Sequence, residues 1–286
     1  FWGQSLSDSV LNYQSFLVNI GGADYFRMAS LFPDPHNFAL FAGMISFLSL
    51  ALCVYFFREN KKPKINFYGI VSLLGFVAVF LSFSRAAYIA LITSLLIFMA
   101  LGFRNVFFQK IKSFLLLGII FLTMIFALSP ITGRFLDIFS REDGSNIGRI
   151  QILKDGLNIF KDNILFGVGI GNAPLRYNED IEYRNPTNSH NTYLEIAIEN
   201  GILGLVLWVW LILGMIIRLI MMFLGRVGDR QEAMVLGVIC ALVFFAIHSL
   251  FEVFLYSPIN LSVLMILMAL GSVLLNLERF KNSNNI

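Results

Sequence analysis

The run His190-Asn191-Thr192-Tyr193-Leu194-Glu195, continuing through Glu199-Asn200-Gly201-Ile202-Leu203-Gly204, puts an imidazole in the first turn of an expected helix. Imidazole is the usual general base near neutral pH. The partial positive charge at a helix N-terminus favours the neutral ring, which is the form a base needs. A capping or surface histidine fits the same spacing equally well. Arg27, Arg85 and Arg149 each stand at the edge of an apolar or amphipathic stretch. A guanidinium grips phosphate oxygens in pairs. One arginine at such an edge is ordinarily an interfacial anchor, whereas several on one face favour an anionic ligand. His248 and Glu252 lie four apart and read as one helix face at the end of an apolar block. Ionisable groups there ordinarily face the protein interior and mark function, although a structural hydrogen-bonded pair is the other reading. Glu195, Arg27, His248 and Glu252 are secondary site candidates beside His190, Arg85 and Arg149.

Other runs carry less. Gly167-Val168-Gly169-Ile170-Gly171-Asn172 could approach an anion through its backbone. A dinucleotide fingerprint needs a strand before it and a helix opening from it. Here a helical pattern precedes it, so a tight turn is expected. Phe32-Pro33-Asp34-Pro35-His36-Asn37 reads as a stiff turn that sets how the chain enters the next apolar block, with a direct role for Asp34 or His36 the weaker alternative. Asp180-Ile181-Glu182 has the look of a short cation-holding motif, but such triplets arise readily in an acidic loop. No His-Glu-x-x-His pattern, clustered Cys/His set or serine nucleophile elbow is present. No metal or other cofactor is therefore expected.

These residues must be held by an unusually apolar chain. Of 286 residues, 57% are hydrophobic and 14% charged, with a mean hydropathy of +0.76. Soluble domains lie near 45–50% apolar and about 25% charged. The excess falls in blocks long enough to cross a bilayer, which takes roughly 20 residues. Seven candidate spans cover residues 38–57, 67–83, 86–102, 113–129, 201–224, 233–254 and 259–276. No basic run is dense enough for nucleic acid. Cys53 and Cys240 lie inside apolar blocks and read as small core residues rather than a disulfide. The chain opens on Phe1 and reads as a fragment with further spans upstream.

Basic residues orient the spans. Arg58, Lys61, Lys62 and Lys64, then Arg104, Lys110 and Lys112, then Arg226 and Arg230, then Arg279 and Lys281 fall on one side if seven spans alternate. That side is cytoplasmic by the positive-inside rule. The expected organisation is an outer segment 1–37, a four-span block 38–129, an outer loop 130–200 carrying the site, a three-span block 201–276 and a cytoplasmic tail 277–286. Within the loop, residues 148–162 read as an amphipathic helix opened by Arg149 and suited to the membrane surface. Residues 188–200 read as a second helix capped by Asn188 or Ser189, with Gly201 after it.

In order and spacing, these features resemble the O-antigen ligase and O-antigen polymerase family of bacterial envelopes. The resemblance runs from Arg27 and the Phe32–Asn37 turn through Ser84-Arg85, Gly148-Arg149, Asn163-Ile164-Leu165-Phe166-Gly167-Val168-Gly169 and Ser189-His190-Asn191-Thr192-Tyr193-Leu194-Glu195 to the last spans. Two departures occur. Ile152 and Leu153 stand where the family often has Trp, and Ile164 stands where it often has Pro.

The resemblance implies an all-α, GT-C-like integral membrane protein with a large, partly helical outer loop. It implies a multi-pass protein of the bacterial cytoplasmic membrane with its site on the outer face. It implies a glycosyltransferase that moves a glycan from an undecaprenyl-type polyprenyl diphosphate to a lipid or glycan acceptor. No essential metal and no nucleotide sugar are implied. His190 would be the base, and Arg85 and Arg149 would bind the diphosphate. The rival class is a transporter or flippase for a lipid-linked glycan. Such proteins place ionisable groups near the bilayer midplane, whereas the polar residues here gather in one outer loop.

Overall fold

A computed structural model describes residues 17–20, 23–32, 34–102, 144–177, 188–225 and 229–283. In chain order these form β1 (Leu17–Ile20), β2 (Ala23–Phe26), α1 (Pro35–Arg58), α2 (Lys62–Leu81), α3 (Arg85–Gly102), α4 (Gly144–Asp162), α5 (Ala173–Tyr177), α6 (Thr192–Leu224), α7 (Asp229–His248) and α8 (Pro258–Ser283). Among the described residues, α1, α2, α3, α6, α7 and α8 are long and apolar enough to cross a membrane. The chain is thus an α-helical integral membrane protein. The fourth expected span, 113–129, lies outside the described residues.

One element was not expected. β1 and β2 pair antiparallel, with Leu17 opposite Phe26 and Ile20 opposite Ala23. Gly21-Gly22 between two short β-compatible runs is a hairpin signal that the helical periodicity elsewhere had overshadowed.

Helix α7 is the most enclosed element. Leu236, Ile239, Leu242, Phe244 and Phe245 are buried against α1 and α3. Small residues permit the close approach, as is usual between membrane helices. A Cβ at Gly43 would strike the Phe244 ring, one at Gly237 would strike Ala51, and one at Gly75 would strike Ser46. Cys53 and Cys240 are both free thiols, as expected. Helix α6 is peripheral and leaves Leu203, Val206, Leu207 and Trp210 exposed on its outward side.

Several span ends meet at one end of the bundle. Asp34 caps α1 by accepting from the Asn37 backbone N–H at 2.8 Å. Asn37 Oδ1 accepts from Asn260 Nδ2 at 2.7 Å, which ties the start of α1 to the start of α8. Ser84 caps α3, where its Oγ accepts from the Ala87 N–H at 3.3 Å. The α2–α3 connection through Ser82, Phe83 and Ser84 is the tight hairpin that the sequence suggested.

Helix boundaries depart from expectation in three places. Helix α4 starts at Gly144, so Arg149 sits in its second turn rather than at its opening. Asn191, not Asn188 or Ser189, caps α6, accepting from Tyr193 N and Leu194 N at 2.9 and 3.0 Å. His190 therefore precedes the cap, with a left-handed φ of 49°. Helix α7 ends at His248, so Glu252 does not share its helix. The segment beyond is held unwound by Thr192, whose N–H donates to Ser249 O at 2.9 Å and whose Oγ1 donates to Glu252 O at 2.7 Å.

Within α6 the backbone breaks at Gly201, with φ 67° and ψ −169°. Only glycine occupies that region readily. The turn after α4 docks into the break. Ile202 N donates to Ile164 O at 2.7 Å, Val168 N to Ile198 O at 2.8 Å and Gly169 N to Glu199 O at 2.9 Å. A Cβ at Gly201 would fall on the Leu165 carbonyl, and one at Gly167 on the Glu199 carbonyl. Gly201→Ala is expected to lose about 1–3 kcal/mol from backbone conformation alone, with the steric clash added. A wild-type thermal midpoint for this variant in detergent or lipid would show that the turn does not dock there.

Candidate functional site

Glu252 is the hub of the polar cluster at this end of the bundle. His190 Nδ1 lies 3.0 Å from its Oε2, and Arg149 Nη2 donates to its Oε1 at 2.6 Å. His36 Nε2 lies 3.5 Å from the same Oε1. The Glu252 side chain is 10% exposed and that of His190 33%, so the carboxylate backs the imidazole rather than facing solvent itself. With Nδ1 turned to the carboxylate, Nε2 of His190 is the nitrogen left for a reacting group.

A second layer supports His36. Its Nδ1 lies 2.9 Å from Ser84 Oγ, and its Nε2 lies 3.2 Å from Arg27 Nη2. Arg27 Nε donates to the Ser82 carbonyl at 2.9 Å, which fixes the guanidinium against the α2–α3 turn. His248 is fully buried, with Nε2 3.4 Å from Ser84 Oγ and its ring edge-on to Phe254 at 4.8 Å. It thus packs behind Ser84, and the contacts to Glu252 come from His36, Arg149 and His190. Arg85 opens α3 next to Ser84 and is partly exposed.

Burial alone would push the Glu252 carboxyl up. The contacts with His36, the His190 hydrogen bond and the Arg149 guanidinium outweigh it and hold the group well below the usual carboxylate range. A depressed folded value adds stability that is fully present above the ordinary glutamate value of about 4.3 and is lost as pH falls below it. Thermal unfolding followed from neutral pH to about pH 3 should therefore show an acid loss that is reduced in Glu252→Gln. Identical acid profiles for the two proteins would remove Glu252 as its source.

Glu195 serves a different cluster. Its Oε2 accepts from Ser189 N at 3.0 Å, and its Oε1 lies 3.0 Å from Tyr256 Oη. The same hydroxyl lies 2.6 Å from Glu199 Oε1, which also accepts from Gly171 N at 2.7 Å. Burial, then the two glutamates, raise the Tyr256 phenol well above its ordinary value, so it stays protonated. A phenol has one proton to donate. For both contacts to be hydrogen bonds at once, the trio must hold one proton beyond the phenol's own. This trio ties the glycine turn to the strand of chain entering His190, so Glu195 sits behind the base and does not touch Glu252.

The cluster draws on widely separated segments of the sequence. The sequence points to His190, Arg149, Glu252 and Arg27, and offers His36 chiefly as part of a rigid turn, with a direct role as the weaker alternative. The signal for His36 was its place between Asp34 and Asn37 at a span edge, the same placement that drew attention to Arg85. Two bulky or polar residues beside the cluster, Phe83 (φ 51°) and His190 (φ 49°), hold left-handed backbone. Such strain gathers at functional sites.

The family described as O-antigen ligase matches residues 70–209. An O-antigen polymerase from Salmonella muenchen is 29% identical over 187 residues, covering 63% of this chain and 44% of the relative. The teichuronic acid biosynthesis protein TuaE from Bacillus subtilis (strain 168) is 25% identical over 234 residues, covering 77% of this chain and 47% of the relative. The chain thus spans less than half the length of these two relatives. Arg85, Arg149 and His190 fall inside the matched region, whereas His36 and Glu252 fall outside it.

Proposed function

We propose that this chain, whose residues 70–209 match the O-antigen ligase family, is a membrane glycosyltransferase that moves a glycan from a polyprenyl diphosphate to an acceptor hydroxyl. The observation that carries this reading is the His190–Glu252 pair, 3.0 Å apart, with Arg149 on the same carboxylate. Glu252 orients the imidazole and stabilises the imidazolium that forms when it takes a proton, the logic of any base held by a buried carboxylate.

The acceptor O–H gives its proton to His190 Nε2 as its oxygen bonds to the anomeric carbon. The bond from that carbon to the diphosphate oxygen breaks, and its electron pair leaves with the diphosphate. Attack opposite the leaving group inverts the anomeric centre. Arg149 spends one N–H on Glu252 and keeps others for phosphate oxygens. Arg85, at the start of α3, is the second diphosphate ligand. Fixed positive charge aimed at a leaving diphosphate is the stabilisation that a metal ion supplies elsewhere, so the reaction is read as metal-independent.

The cluster lies at the end of the bundle opposite Lys61, Lys62 and Lys64. By the positive-inside rule that end is the outer face of the bacterial cytoplasmic membrane. A cavity of about 450 Å³ along α6, lined by Ile196, Leu207, Trp208 and Leu211 and rimmed by Glu199 and Tyr256, offers apolar surface for part of a lipid tail.

A reconstituted assay tests the reading. Full-length protein would receive a polyprenyl-diphosphate glycan donor, a panel of lipid and glycan acceptors and excess EDTA. Transfer that persists in EDTA supports the reading, and the productive acceptor separates ligase from polymerase. Donor that crosses the bilayer unconsumed would overturn it in favour of a transporter.

A further inference from the structure

Both ends of α4 are tied to the ends of membrane spans. Near its start, Arg149 bonds to Glu252, four residues past the end of α7. After its end, Ile164 O accepts from Ile202 N, where the spanning part of α6 begins. The helix therefore runs along the membrane boundary rather than away from it.

Its faces are sorted to match. Gly156 faces inward, where a Cβ would meet the Tyr177 hydroxyl, Leu194 and Ile198. Ile150 and Leu157 are exposed, and at about 100° per residue they lie within about 20° of each other around the helix. Lys154 and Lys161 are exposed about 40° and 20° from Ile150, whereas Asp155 and Asp162 lie about 140° and 120° from it. Apolar side chains bordered along one side by lysines, with the acids farther round the helix, are the pattern of a helix lying in a lipid interface. Lysine stems cover apolar surface while the ammonium reaches the headgroups.

The turn that follows carries the strongest signal. Leu165, Phe166 and Ile170 are 62%, 78% and 80% exposed. A soluble surface rarely gathers such large apolar groups in one patch. The hydrogen bonds to Ile198, Glu199 and Ile202 fix this turn at the level of the first residues of the α6 span. Its exposed side chains continue the lipid-facing surface formed by Leu203, Val206 and Leu207.

We propose that α4 and the 163–170 turn dock on the lipid leaflet at this end of the bundle. Leu165, Phe166 and Ile170 enter the upper acyl region, and Lys154 and Lys161 lie at the phosphate level. Docking holds α4, and with it Arg149, at the depth of lipid headgroups. The inference rests on the span geometry and stands whether or not the glycosyltransferase reading does.

Spin-label accessibility tests it. Single cysteines at Phe166, Ile170, Leu203 and Asp155 would be made in a Cys53→Ala, Cys240→Ala background. Each would be labelled in bilayers of phosphatidylcholine with phosphatidylglycerol. The ratio of oxygen to nickel-chelate collisions reports lipid over water. Labels at 166 and 170 should match the lipid-facing label at 203, with ratios several-fold above that at 155. Ratios at 166 and 170 equal to that at 155, in protein whose 203 label still reports lipid, would place the turn in water and overturn the proposal.

Discussion

His190→Ala is expected to lower glycan transfer by about 10²–10⁴-fold, the usual contribution of a positioned general base. The loss should appear in kcat more than in KM, because the imidazole acts on the proton in flight and not on the donor's diphosphate. The ring sits outside the helix it precedes, on a left-handed residue, with Nδ1 3.0 Å from Glu252 Oε2. Such backbone costs of order 1–3 kcal/mol and persists only where the surroundings enforce it. Here Asn188 Oδ1 accepts from the His190 N–H at 3.0 Å, and Asn191 caps the next turn. Truncation to alanine leaves those backbone contacts and the Arg149 bond to Glu252 in place, so stability should fall by no more than about 1–3 kcal/mol, the cost of one lost partner, while the rate collapses. Normal turnover by the variant would remove His190 as the base, and a large fall in midpoint would show that the ring is structural.

Much of this was legible in the sequence, and the reason differs by residue. Spans announce themselves because each is a continuous run, long enough on its own to cross a bilayer. His190 and Arg149 stood out because a polar group beside an apolar block is conspicuous. The boundary of α7 was not legible. Its apolar pattern runs on to Phe254, but tertiary bonds from Thr192 to Ser249 and Glu252 unwind the last turn. That unwinding is what frees Glu252 to meet partners 62 and 103 residues away. Local periodicity holds no information about such pairings. The close approach of Gly167 to the Glu199 carbonyl and of Gly201 to the Leu165 carbonyl is a similar case. Each glycine could be read as a turn, but these approaches follow only from the folded path of the loop.

Glu252→Gln should be the most informative single change, with a loss of transfer comparable to that of His190→Ala, about 10²–10⁴-fold. Glutamine keeps the shape but removes the charge that stabilises an imidazolium at His190. It also releases Arg149, whose 2.6 Å bond to Oε1 now competes with any phosphate ligand. A weaker hold on Arg149 predicts tighter donor binding, so KM for the donor should fall or stay level while kcat drops. A residue that only braced the fold would move stability without this split. Removing one partner of a largely buried charged cluster costs about 1–3 kcal/mol, so rates must be compared well below the variant's midpoint. The double variant with His190→Ala should lose little more than either single change, because the two side chains act as one unit. Fully additive losses would mean that Glu252 serves the reaction through Arg149 or His36 and not through the imidazole.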